Sequence, residues 1–197
     1  MPGRTPRLFC QRCLLFAVLF TAGALAMAGG ANRTDPAPAA DAEGGYPLKA
    51  AFLFNFIQYV EWPDNKQGGA EFALCVLGQN PFGASLQPLQ SKTALGLPVV
   101  VKEIRQASES HRCHMLFIAE SERPQLPKVL ADLAGAGVLT VGDADGYAEA
   151  GVMIGFVVRQ HKLRFAINLD AAKNGNVRIS AHLLRLAEIV RNADLKD

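Results

Sequence analysis

Four short apolar runs, "EFALCVLG", "LPVVVKEI", "CHMLFIAE" and "VLTVGD", follow one another between residues 71 and 143. No other feature limits the fold as much. Runs of this length that do not alternate apolar with polar residues belong to strands buried on both faces, and such strands need helices over both sides of their sheet. The runs predict strands over 71–77, 97–104, 115–119 and 138–143, with Pro98 near the start of the second, where a missing N–H costs least. Between them, "GQNPFGASLQPL" turns into a short helix over 82–86, and "RPQLPKVLADLAGAG" supplies a helix over 125–133 closed by Gly135 and Gly137.

The pattern then changes. "VMIGFVVRQHKLRFAINL", residues 152–169, holds two apolar runs around the polar "RQHK", which is the signature of an antiparallel hairpin. Ser180 is a good N-cap, and the residues after it place Leu183, Leu184, Leu186, Ala187 and Val190 on the buried side of an expected C-terminal helix. The expected fold is α/β: a single domain with a mixed sheet flanked by helices, ending in an antiparallel hairpin and a helix.

Ahead of the first strand lies "KAAFLFNFIQYVEWP", almost wholly apolar from Ala50 to Val60. A membrane span needs about 20 apolar residues, so this run is a helix of a folded domain, expected over 48–60 and stopped by Pro63, which pushes Trp62 away from helical angles. Phe52, Phe56 and Tyr59 or Val60 suffice to pack one face on a sheet, while Leu53, Phe54 and Ile57 widen the stripe beyond what a surface helix needs. Either the helix is buried within the domain, or its excess face, with Phe54 and Ile57, meets another subunit.

The first 28 residues carry Arg4, Arg7 and Arg12 and no acid, then the apolar block "CLLFAVLFTAGALA", then the small-residue pattern "AMA". This is the form of a cleaved secretory signal peptide, and no cysteine stands where a lipoprotein signal would need one. Residues 29–45, "GGANRTDPAPAADAEGG", have no large apolar side chain and read as a flexible linker. The folded body is expected over 46–193, with a tail at 194–197, in the periplasm. Removing the leader takes three of 20 basic residues and no acid, leaving 17 against 18 acidic ones. No basic patch is visible, which argues against nucleic acid as a partner.

The leader also takes Cys10 and Cys13 with it, so "CQRC" is not a redox or zinc motif of the body. Two cysteines in an exported body, Cys75 and Cys113, favour a disulfide over free thiols. A metal site using Cys75, Cys113, His111 and His114 is the competing reading, but H-x-C-H sets its ligands closer than the usual zinc spacings.

No catalytic constellation emerges. "GQNPFG" lacks both the Lys-Ser/Thr of a P-loop and the spaced glycines of a dinucleotide turn, and Ser85 stands in no nucleophile elbow. Asp143 and Asp145 form an acidic loop without EF-hand spacing. His161 and His182 are isolated. The expectation is a protein that is not an enzyme, with no cofactor and no metal. Arg164, Arg178, Arg185 and Arg191 remain as candidates for binding an anion or a partner's carboxylates, with Arg164 and Arg178 set near Phe156 and Phe165 in a small-molecule pocket as an alternative function.

"KAAFLFNFIQYVEWP", "LCVLGQNPFG", "CHMLFIAE", "VLTVGDADGYAEAGVMIGFV" and "LRFAINLDAAKNGNVRISAHLLRLAEIV", in this order behind a leader, resemble the YfiR family of periplasmic proteins over residues 48–190. The resemblance implies a dimeric, non-enzymatic repressor that holds an inner-membrane diguanylate cyclase inactive through its periplasmic sensor domain, lowering cyclic di-GMP and biofilm formation. It also implies an OmpA-like outer-membrane lipoprotein that sequesters the repressor. The family's cysteines fall on Cys75 and Cys113, in agreement with a disulfide there, whereas the second pair of some relatives has no counterpart after Cys113. Exposed apolar residues of the hairpin, Phe156 and Phe165, are the expected partner contacts.

Overall fold

The structure, a computed structural model, describes residues 45–66 and 69–192. The expected leader, the linker before Gly45 and the tail lie outside the described residues. The chain begins with helix α1 (Tyr46–Ile57), passes through a two-residue strand β1 (Val60–Glu61) and enters the sheet at β2 (Phe72–Leu77). A 3-10 segment (Gly83–Ser91) and strand β3 (Thr93–Ala94) lead to β4 (Leu97–Ile104), and a second 3-10 segment (Ala107–Arg112) leads to β5 (Met115–Ile118). A third such turn (Glu120–Gln125) runs into α2 (Leu126–Asp132), then come β6 (Leu139–Gly142), β7 (Ile154–Arg159) and β8 (Lys162–Asn168). Helix α3 (Leu169–Asn174), β9 (Arg178–Ile179), α4 (Ala181–Leu184) and β10 (Glu188–Val190) complete the described chain.

Eight strands form one mixed sheet in the order β10-β8-β7-β6-β5-β2-β4-β3. Its centre, β4-β2-β5-β6-β7, is parallel throughout, while β3 pairs antiparallel with β4, β8 antiparallel with β7, and β10 parallel with β8. Counted along the chain, the parallel strands lie in the order 2-1-3-4-5, the doubly wound arrangement in which the chain reverses direction across the sheet beside its first strand.

The unbroken apolar character of β2 has a direct cause in this architecture. Phe72, Leu74 and Val76 enter the core beneath α1, which receives Leu53, Phe56 and Ile57 from the helix. Ala73, Cys75 and Leu77 face the other way, into a second core with Leu126, Val129 and Leu133. All six residues of β2 are buried. Its neighbour β5, and β6 beyond it, are buried over their whole length too, as strands covered on both faces must be.

Two helix boundaries differ from the sequence reading. The first helix stops at Ile57, well before Pro63, and Val60 pairs instead with Ile179 in the small antiparallel β1–β9 ribbon. The C-terminal helix is a single turn: Ser180 does cap it, its hydroxyl accepting from Leu183 N at 3.3 Å, but residues 188–190 leave the helix and pair with Ala166–Asn168. Leu186 is consequently exposed rather than buried. The open edge of β8 offers unpaired backbone groups, and the β-branched Ile189 and Val190 fit that edge better than a helix interior. Helix α3 was not anticipated, although Asn168 and Gly175 are a legible cap pair around it; Asn168 accepts from Ala171 N at 2.9 Å.

Candidate functional site

The hairpin carries Phe156, Arg164 and Phe165 of the residues singled out for recognition, and the sheet sorts them by face. Phe156 on β7 lies directly opposite Phe165 on β8, and the alternation of a strand sends both toward α1. There they meet Phe52 and Phe56: the four rings form a cluster with centroids 5.1–6.0 Å apart, including a T-shaped Phe56–Phe165 contact at 5.1 Å. Such edge-to-face contacts favour ring quadrupoles and add to the burial gain.

Phe156 and Phe165 are therefore core residues, 3% and 5% exposed, and not the exposed partner contacts expected from the sequence. Ile57 is fully buried within the domain as well, which settles its side of the first helix as core. Phe54 is half-buried, packed on the same core with the Lys92 ammonium 5.0 Å above its ring. Arg164, opposite Val157, points to the other side of the hairpin from the phenylalanines and is exposed. Arg178 lies on the small ribbon, not on the main sheet, in a highly exposed pair with Glu61 at 3.8 Å that contributes little to stability. The structure thus brings Phe156 and Phe165 together and places Arg164 and Arg178 on different sheets.

Among the described residues, large apolar side chains reach solvent at Leu48, Tyr59 and Leu95 and, on the hairpin and the C-terminal segment, at Val158, Leu186 and Ile189. Val158 near the hairpin tip is 50% exposed, Leu186 in the turn before β10 is 61% exposed, and Ile189 on the edge strand is 46% exposed. The Arg159–Glu188 pair at 3.1 Å lies on the opposite face of the strands from Val158 and Ile189, and Arg191 pairs with Asp170 at 3.4 Å. Val158 and Ile189 follow the same alternation as Phe156 and Ile154, so they lie on the face of the sheet that carries the ring cluster. Sequence reasoning missed Leu186 and Ile189 because it assigned their segment to a helix.

Cys75 on β2 and Cys113, just before β5, form a disulfide with Cα atoms 5.9 Å apart. Both sulfurs being bonded to each other, neither is a metal ligand, and the metal reading falls. Among the described residues no group of three or more His, Cys, Asp or Glu is placed to hold a metal ion. The neighbouring His114 continues the β2–β5 ladder: its N–H donates to Ala73 O at 2.9 Å, and its Nδ1 accepts from Ala73 N at 3.1 Å. Nε2 therefore carries the proton and donates to Lys66 O at 2.9 Å. Burial lowers the affinity of His114 for a second proton, and the Lys66 charge works in the same direction, against the Lys66 carbonyl bond. Burial likewise lowers the pKa of Lys66, whose ammonium donates to the carbonyls of His111 and Cys113.

These features define a doubly wound α/β domain, clamped across its central strands by a disulfide and bearing an apolar rim at one end of its sheet. The chain belongs to the YfiR/HmsC-like family, whose model matches residues 46–188. A comparison with curated proteins gives no match. Among solved structures, a conserved domain protein from Vibrio cholerae is similar at 11% identity and a TM-score of 0.50, covering 74% of this chain and 60% of that one. An ABC domain in complex with L-Trp from Streptococcus pneumonia is similar at 13% identity and a TM-score of 0.49, covering 72% of this chain and 60% of that one. The protein spans about 60% of the length of each of these two solved chains.

Proposed function

We propose that the protein is a periplasmic negative regulator that binds the periplasmic sensor domain of an inner-membrane diguanylate cyclase and inhibits it, lowering cyclic di-GMP and biofilm formation. The observation that carries this reading is the family match, which spans nearly all the described residues. Among those residues no helix is long and apolar enough to cross a membrane, and residues 1–28 have the composition of an export signal. The regulator acts as a homodimer, without catalysis, and an OmpA-like outer-membrane lipoprotein relieves it. The apolar rim of Val158, Leu186 and Ile189 is the surface best suited to the cyclase. A regulator without chemistry of its own works by binding one state of its target more tightly than another, and that difference limits the shift it can produce.

Deleting the gene tests the reading. Cellular cyclic di-GMP should rise, surface attachment should increase, and an export-competent copy should reverse both, whereas a copy lacking residues 1–28 should not. Unchanged cyclic di-GMP in the deletion strain, with the cognate cyclase expressed, would remove the repressor reading.

A further inference from the structure

His114 ties three parts of the fold together. Its N–H donates to Ala73 O on β2 and its carbonyl accepts from Leu139 N on β6, both at 2.9 Å, while the same carbonyl accepts from the Trp62 indole N–H at 2.9 Å. The ring completes the hub, with Nδ1 accepting from Ala73 N and Nε2 donating to Lys66 O. Residues 62–66, between β1 and β2, are held against the start of β5 by these bonds and by the Lys66 ammonium, which donates to Cys113 O at 3.1 Å.

The arrangement accommodates one proton on the ring and not two. With a second proton Nδ1 becomes a donor facing the Ala73 N–H, and two donors cannot share that contact. Ala73 cannot retreat, because β2 is paired on both sides, with β4 and with β5. The stacked Phe72 ring, 4.7 Å away, takes a cation on its face at least as readily as a neutral ring, so the imidazolium stays over it and turns in its own plane. Turning carries Nε2 away from Lys66 O. The charged groups around the ring act mostly in the same sense: Lys66 and, from β4, Lys102 repel the new charge, while Glu71, which attracts it, is engaged by Lys102 in an ion pair. Glu61 is paired with Arg178, and Leu139 on β6 brings no charge. A proton reaches the ring without unfolding, since His114 lines a cavity of about 420 Å³ whose other walls include the exposed Glu61 and Leu95.

We infer that His114 is a proton-operated latch: in acid its ring lets go of residues 62–66 while the central sheet stays folded. Trp62, the one tryptophan of the chain, lies in that segment and reports on it directly. Its indole is 5% exposed and packs edge-on to Phe72 at 5.3 Å. On acidifying the exported, oxidised protein, acrylamide quenching of Trp62 should rise and its emission should move to longer wavelength. The change should come in one step below about pH 6.5 and above the carboxylate range near about pH 4, with far-UV circular dichroism holding its neutral-pH value. His114→Asn should abolish the step. Lys66→Met, which removes the ammonium and keeps the backbone carbonyl, should move the step to higher pH, because a repelling charge is gone; a purely structural role for Lys66 would leave the midpoint unmoved. All of these readouts are taken on purified protein and are independent of the regulatory reading. Fluorescence and circular dichroism changing together would overturn the latch, as would the absence of any step or an unshifted step in folded His114→Asn. Should His114→Asn not fold, a Lys66→Met step at or below the wild-type pH would overturn it instead.

Discussion

His114 shows how much one side chain can carry in this fold. Stacked on Phe72 at 4.7 Å and bonded through both ring nitrogens, it is held in the neutral form. A second proton would convert Nδ1 from acceptor to donor and break its bond with Ala73 N. Since burial places the folded-state pKa below the ordinary 6.5, the unfolded chain takes up the proton first as pH falls. The His114 contribution is therefore fully present above the unfolded-state pKa and is lost as pH drops through it toward the lower folded value. Thermal unfolding midpoints should fall between about pH 7.5 and pH 5, and His114→Asn, whose side-chain oxygen can still accept from Ala73, should flatten that slope. An equal slope in both proteins would count against this account. Beside it, the disulfide closes a loop across a sequence separation of 38 residues. Cys75→Ser should lower unfolding free energy by about 2–5 kcal/mol in denaturant titration, the usual cost in a small secreted domain.

Two elements divide the labour between holding the fold and offering a surface. Helix α1 is core: Ile57→Glu would bury an unpaired charge beneath it, which costs several kcal/mol, and the variant should lose its cooperative thermal transition. The edge strand β10 is different. Ile189 is 46% exposed although its backbone is paired with β8, so Ile189→Glu should leave the unfolding midpoint close to wild type, within the roughly 0.5 kcal/mol typical of surface changes. If the rim is the cyclase contact, that same variant should fail to restore low cyclic di-GMP in the deletion strain. A folded Ile189→Glu protein with full repression would move the contact elsewhere. Because β10 contains only three residues, its exposed edge is a weak template for unwanted strand pairing.

At the scale of the whole molecule, the proposed homodimer has a face to be assigned. The widened stripe of α1 no longer supplies it at Ile57, which the domain itself covers, while Phe54 remains half-buried with Lys92 over its ring. Phe54→Glu is therefore the informative change. Light scattering at micromolar concentration should show a dimer for the wild type and, if this edge of α1 is the contact, a folded monomer for the variant. A wild-type protein that is monomeric under those conditions would remove self-association from the proposed mechanism.

Much of this was legible in the residues themselves. Strands sheathed on both sides are apolar at nearly every position, so β2, β5 and β6 are legible as short apolar runs, Thr140 being the one polar residue among them, and the hairpin is legible through the polar turn between two apolar arms. Compartment and count were enough to favour the Cys75–Cys113 bond. What the sequence could not decide was which side of a strand or helix finds cover. Phe156 and Phe165 look alike whether they face solvent or α1, and only the register of β7 against β8 with α1 above them makes them core. The segment 188–190 has a helix-compatible pattern, yet a vacant edge on β8 draws it into a strand, because unpaired backbone groups cost more than a weak local propensity returns. The hub at His114 depends wholly on tertiary structure: Ala73 and His114 stand 41 residues apart in the chain, and it is the strand order, β2 beside β5, that brings Ala73 N and His114 Nδ1 to 3.1 Å.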